Sequence, residues 1–182
     1  MTEAPVFVVL NENSAALARR LADGQPGAEV HGLAERVESA DLPFTSMDEH
    51  LGRLFQDGRT IVAVAAAGIV IRLLAPLLSD KAEEPPVICI AEDGSAVVPL
   101  LGGHRGANRL AGELAQALDC PAAITTAGDV RFGLALDDPP PGWRCSGREA
   151  AKPVMAALLS GEPIRLEDET SPLVDTTWLT DS

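Results

Sequence analysis

Aromatic residues are scarce in this chain of 182 residues, which has four Phe, two Trp and no Tyr. We therefore do not expect a surface that binds nucleic acid by stacking bases on aromatic rings. Positive charge is also scarce, because 14 Lys and Arg stand against 27 Asp and Glu, for a net charge of −13. This balance argues against bulk attraction to nucleic acid. It is compatible with a small anionic ligand held by a few arginines.

Cysteines and long apolar runs are few as well. The three cysteines form no CxxC pair, so neither a zinc ribbon nor a thioredoxin-like site is expected, and free thiols are typical of a reducing compartment. The longest apolar stretch ends at Arg72 and is too short to span a bilayer. The first residues lack the basic region of a signal peptide. We expect a cytoplasmic protein with no metal site and neither a membrane nor a nucleic-acid partner.

Short apolar runs that alternate with helical patterns predict an α/β fold. Apolar, β-branched runs predict strands at residues 5–10, 28–31, 60–66, 87–91 and 122–125. Asp93-Gly94 predicts a β-hairpin. We expect a three-layer sandwich with a mainly parallel sheet, a hairpin and a short C-terminal helical appendage. A proline run at 139–141 places the domain boundary between residues 1–138 and residues 139–182.

Two glycine-bearing segments each follow a predicted strand and precede a predicted helix. They are AAAGIVIR at 65–72 and LLGGHRGAN at 100–108. Ligands of open α/β sheets bind at the carboxyl ends of parallel strands, so we expect both segments to open into one crevice. Glycines in these turns let a flat ligand approach the backbone; they are Gly68, Gly102, Gly103 and Gly106.

His104 is the strongest candidate for chemistry. It lies between two glycine-containing pairs, where an imidazole has little packing to do, and is interpreted as a general base or hydrogen-bond donor, or else as a surface histidine. Arg105, Asn108 and Arg109 complete a polar cluster suited to an anion. Arg72 either faces a ligand carboxylate or extends along the surface with its charge in water.

Thr125, Thr126 and Asp129 follow the last predicted strand. They either line the same crevice from the side or form a turn in which threonine bonds its own backbone. Asp129 is the second candidate for a general base. The histidines at 31 and 50 lack such surroundings and are expected at the surface.

Together these segments resemble the CbiG family of cobalamin biosynthesis. The shared pattern is GIVIRLLAPLLSDK, then a strand pair ending in PLL, then GGHRGANRLA and ITTAGD, in this order between residues 61 and 129. Residues 148–166 resemble the start of the central region of the family.

The resemblance implies a cobalt-precorrin-5A hydrolase, which opens a lactone on the corrin macrocycle and releases acetaldehyde. Its substrate is a flat tetrapyrrole with acetate and propionate arms, which would suit Arg72, Arg105 and Arg109. Cobalt would enter only as part of the substrate, and no separate cofactor is expected. On this hypothesis His104 activates water, and the backbone amides of Gly106 and Ala107 stabilise the oxyanion.

An alternative function follows from the same resemblance. Complete family members carry a further C-terminal domain, and related modules occur fused to a precorrin methyltransferase. The alternative is therefore a non-catalytic module that binds a precorrin intermediate. Such a module would act with a precorrin methyltransferase or would be a segment of a fusion to that enzyme. An unrelated nucleotide-binding fold is disfavoured because the sequence has no phosphate loop.

Overall fold

The fold is described by a computed structural model for residues 4–81, 83–133, 136 and 148–162. Its strands are β1 Val6–Val9, β2 Glu29–Leu33, β3 Leu42–Phe44, β4 Ile61–Val64, β5 Val87–Ile90 and β6 Val97–Leu101. Its helices are α1 Glu12–Ala22, α2 Met47–Gln56, α3 Ala67–Leu74, α4 Ala107–Leu118, α5 Ala127–Phe132 and α6 Arg148–Ser160. The chain divides into two units, Met1–Ile124 and Thr125–Ser182. The predicted boundary after residue 138 lies outside the described residues.

The strands of the first unit form one sheet in the order β3-β2-β1-β4-β5-β6. The first five strands are parallel, and β6 is antiparallel to β5. At the carboxyl end of the sheet, Val64 of β4 lies beside Ile90, which pairs with Val97 at the start of β6. At the amino end, Val87 pairs with Leu101 at the end of β6. The chain therefore leaves β6 at the amino end of the sheet.

Helices cover both faces of this sheet. One core cluster joins α1 and α4 to one set of alternating strand residues, and a second cluster joins α2 and α3 to the other set. The central strands β1, β4 and β5 are buried along their whole length, as expected for parallel strands covered on both faces. This arrangement confirms the predicted α/β sandwich with its mainly parallel sheet.

The hairpin is confirmed, and its turn shows why the sequence forms it. Gly94 has φ +74°, which favours glycine, and the Asp93 carboxylate accepts the amide hydrogen of Ser95 at 3.0 Å. The 3-10 turn at Ala75–Leu77 contains Pro76, a residue that disfavours continuation of the preceding helix.

Two strand assignments differ from the sequence prediction. No strand forms over 122–125, where a single bridge joins Ala122 to Val97 and the chain then turns, with the Ile124 amide donating to the Ala122 carbonyl. The sequence did not indicate β3, since Pro43 argues against a strand interior. A proline is tolerated there because β3 is the last strand of the sheet.

Candidate functional site

The segment at 65–72 lies at the carboxyl end of the sheet, where β4 ends and α3 begins. The exposed Arg72 folds back along α3, and its Nη1 donates to the Gly68 carbonyl at 2.7 Å. A Cβ at position 68 would lie 2.9 Å from that same nitrogen. Gly68 therefore makes room for the guanidinium over the first turn of the helix.

The segment at 100–108 lies at the opposite, amino end of the sheet. It follows β6, and a Cβ on Gly102 would lie 2.8 Å from backbone atoms of Pro85 and Pro86, just before β5. The expectation that it shares one crevice with Gly68 is wrong. The physical reason is the direction of β6, because the end of an antiparallel strand meets the beginning of its parallel neighbours.

Backbone hydrogen bonds hold the 102–106 turn in one conformation. The Gly102 carbonyl accepts from the amides of Arg105 at 2.8 Å and Ala107 at 3.1 Å. Gly102 and Gly106 have φ values of +69° and +100°, which favour glycine. Because the Ala107 amide is engaged within the turn, the hypothesis that it stabilises an oxyanion is wrong in this conformation.

Asn108, in the first turn of α4, packs its side chain against the same turn. It is buried, and its side-chain nitrogen and oxygen each lie 3.3 Å from where a Cβ on Gly103 would stand. This packing gives Asn108 and Gly103 a structural part in shaping the turn. His104 is exposed within the 3-10 turn at Gly103–Arg105, so solvent reaches its imidazole.

A cavity of about 210 Å³ opens beside this turn at the amino end of the sheet. Arg105, in the 3-10 turn, and Arg109, on α4, both line it. Arg105 Nη1 also donates to the Glu83 carbonyl at 2.5 Å, and Arg109 Nη1 lies 3.4 Å from Glu113 Oε1. The remaining lining residues are Ala4, Pro5, Gln25, Pro26, Thr60, Pro86, Gly106, Leu110 and Glu113.

The residues predicted to line the crevice from the side belong to the second unit. Thr126 precedes α5, and its hydroxyl donates to Asp129 Oδ2 at 2.5 Å. This contact joins two side chains, and the Thr126 side chain makes no capping hydrogen bond to α5. Thr125 is exposed, and no strand ends there, since residues 122–125 form none.

The structure contradicts the expectation that the other histidines lie on the surface. His31 is buried in β2, and its Nδ1 lies 2.9 Å from Nε2 of the half-buried His50 on α2. Phe44 stacks on the His50 ring at a centroid distance of 4.5 Å. Burial lowers the pKa of His31, and burial together with neighbouring positive charge lowers the pKa of His50 to about 4. The sequence holds no signal for this pair, because the two residues are joined only by the packing of α2 on β2.

Three further features concern the cysteine of β5, the grouping of possible metal ligands and the length of the helices. Cys89 is buried in β5, and burial raises the pKa of its thiol to about 12, which agrees with a packing role. Within the described ranges, no three or more His, Cys, Asp or Glu side chains are grouped to hold a metal ion. No helix in these ranges is long and apolar enough to cross a membrane.

Comparisons with known proteins identify the family. Residues 49–129 match the family model described as Cobalamin synthesis G N-terminal. The chain is 35% identical over 172 residues to a cobalt-precorrin-5A hydrolase of Priestia megaterium, an alignment that covers 90% of this chain and 46% of that protein. Residues 49–129 are a CbiG N-terminal region.

A second relative, the cobalt-precorrin-5A hydrolase of Salmonella typhimurium, is 37% identical over 137 residues, covering 74% of this chain and 39% of that protein. The chain therefore spans less than half the length of either relative. Among solved structures, a cobalamin biosynthesis protein G homologue from Sulfolobus solfataricus matches with a TM-score of 0.48 and 23% identity, covering 92% of this chain and 51% of that one.

Proposed function

We propose that this chain binds a cobalt-precorrin intermediate at the amino end of its sheet and takes part in opening the ring lactone, with release of acetaldehyde. The observation that carries the proposal is the cavity beside the 102–106 turn, which Arg105 and Arg109 line. Two relatives named cobalt-precorrin-5A hydrolase support the choice of substrate. Arginine suits a ligand that carries many carboxylates, because its planar fork can donate two parallel hydrogen bonds to one carboxylate.

His104 is the proposed general base. It is exposed and directly precedes Arg105, so a ring held by the arginines would lie next to its imidazole. In this role the imidazole takes a proton from the water that attacks the lactone carbonyl. Asp129 is the second candidate for the general base, and Thr125 and Thr126 are proposed to contact the substrate beside it. Gly102, Gly103 and Gly106 would let the flat ring approach the turn.

The experiment is single-turnover release of acetaldehyde from cobalt-precorrin-5A by the purified chain. A general base typically contributes 10²–10⁴-fold in rate. We therefore expect His104→Asn to slow release by about 100-fold at saturating substrate, because an amide can hydrogen-bond but cannot take the proton. Asp129→Asn, measured beside it, should leave the rate within about twofold. The reverse pattern would move the role of base to Asp129.

The second candidate function is a precorrin-binding module without catalysis, acting with a partner such as a precorrin methyltransferase. One observation favours it: the cavity is lined by the two arginines, whereas His104 is not among its lining residues. Ring binding without acetaldehyde release, by a chain whose thermal unfolding is cooperative, would select this function over hydrolysis.

A further inference from the structure

The cavity at the amino end of the sheet is too small for a tetrapyrrole ring. Its volume is about 210 Å³, whereas cavities that enclose whole drug-sized ligands measure roughly 300–1,000 Å³. A macrocycle is larger than such ligands. A short side arm that ends in a carboxylate matches the cavity better. A group the size of a water molecule occupies about 30 Å³, so the cavity has room for several such groups.

Part of the cavity lining is apolar. Pro5, Pro26 and Pro86 lie there and have no backbone N–H to offer, and Leu110 adds an aliphatic surface. The strand amides nearby are already paired, for example Ile61 with the Pro86 carbonyl at 2.9 Å. These apolar residues suit the methylene groups of an arm, and the charged end of that arm needs hydrogen-bond donors from other residues.

Arg109 supplies such donors. Its Nε is buried without a hydrogen-bond partner among the described residues, and an unmet buried donor is costly. Its contact with Glu113 is long, at 3.4 Å, and both side chains are partly exposed, so this ion pair contributes little. A ligand carboxylate facing Nε would satisfy the donor that Glu113 leaves unpaired.

Local charge also favours an anion in this cavity. Two arginines and one glutamate give its described lining a formal charge of +1, within a chain whose net charge is −13. Gly106 contributes space, since a Cβ there would lie 3.1 Å from Arg109 Nη2 and would push the guanidinium aside.

We propose that this cavity is the subsite for one carboxylate arm of the corrin intermediate, and that Arg109 holds that arm. The ring then lies outside the cavity, against the turn that carries His104. In the ligand-free protein Glu113 contacts Nη1 of the same guanidinium at 3.4 Å and leaves Nε unpaired. This inference rests on the proposed function, because it takes the ligand to be a corrin with acid side arms.

The test uses two corrins with the same ring: dicyanocobyrinic acid, with free carboxylates, and its heptamethyl ester, in which every carboxylate is methylated and uncharged. Binding to the whole chain is measured by absorbance titration. We expect Arg109→Gln to weaken binding of the acid by about tenfold or more, the effect of losing a charge-assisted hydrogen bond. Glu113→Gln should strengthen binding of the acid by about two- to fivefold, because it removes a competing carboxylate. Binding of the ester should change less than twofold in both variants.

The control is Arg53→Gln, which removes an exposed arginine on α2, on the other face of the sheet. If the acid binds but Arg109→Gln behaves like this control, the inference is overturned and the proposed function stands. If no corrin binds, the proposed function fails, and glutarate then tests the cavity alone. Shifts of the Thr60 and Leu110 methyl resonances that require Arg109 would support the subsite, and their absence would overturn it.

Discussion

The two ends of the central sheet each carry a glycine-bearing turn before a helix, but the two glycines have different roles. At the carboxyl end, Gly68 has helical backbone geometry, and a Cβ added there would meet only the flexible tip of the Arg72 side chain. At the amino end, Gly102 has a positive φ and touches the backbone of Pro85. Similar sequence patterns can thus mark a tolerant helix start in one place and a tightly fitted turn in another.

The two ends also differ in what they offer a ligand. At the amino end a cavity is lined by Arg105 and Arg109, beside the turn that carries His104. At the carboxyl end, Arg72 donates to the Gly68 carbonyl of its own helix, as Arg105 does to the Glu83 carbonyl, but Arg72 is not among the residues that line the cavity. We therefore place the proposed binding surface at the amino end, although parallel α/β sheets commonly bind ligands at the other end.

The largest expected difference between the ends is in the stability of alanine variants. Gly102→Ala should lower the free energy of unfolding by about 3 kcal/mol, since it combines a strained backbone conformation with a clash against fixed backbone. Gly68→Ala should change the free energy by less than about 1 kcal/mol, because alanine favours the helix and Arg72 can move. Urea unfolding of both variants measures this, and equal losses would contradict the assigned roles.

Much of this structure follows from the sequence, and the direction of one strand explains the principal error. The buried runs at β1, β4 and β5 and the helix α4 are evident from periodicity. The Asp93-Gly94 signal also predicts the reversal that makes β6 antiparallel. That reversal puts residues 100–108 at the amino end, not at the predicted carboxyl end, because a strand after a hairpin ends where its neighbour begins.

Other features depend on packing that no local pattern encodes. The buried pair of His31 and His50 forms only when α2 lies on β2, and the cavity forms only where the loops before β1, β2, β4 and β5 meet the start of α4. Thr60 and Glu113 lie on the cavity wall for this reason, and neither residue stands out in the sequence.

The buried pair of His31 and His50 makes the stability of the fold depend on pH. The folded state lowers the pKa of His50 from 6.5 to about 4, and the pKa of His31 shifts in the same direction. As the pH falls below about 6.5, the unfolded chain binds protons that the folded chain does not, so stability falls. We expect a loss of about 2 kcal/mol between pH 7 and pH 4, after discounting for partial exposure.

This pH dependence is measured by urea unfolding at several pH values, with His50→Gln as the matched variant. The difference in stability between the wild-type chain and the variant should shrink as the pH falls from 7 to 4. A difference that stays constant, or that grows in acid, would show that the pair does not remain neutral in the folded state.

The smallest expected effect concerns the helix that follows the amino-end turn. Gly112 lies inside α4, and a Cβ there would meet nothing within 4 Å. Gly112→Ala should therefore raise the free energy of unfolding by up to about 1 kcal/mol through helix propensity. Thermal unfolding measures the change. A destabilised variant would mean that α4 is packed more tightly around Gly112 than the structure indicates. Gly112 would then no longer contrast with Gly102 as a position with open space.

The central claim, that the amino end of the sheet binds the ligand, is tested most directly by titrating dicyanocobyrinic acid into two arginine variants. Arg105→Gln should weaken binding by about tenfold, because it removes a guanidinium that lines the cavity. Arg72→Gln should leave binding within about twofold, because this residue lies at the opposite end of the sheet. Loss of affinity in Arg72→Gln with full affinity in Arg105→Gln would contradict the account and move the site to the carboxyl end.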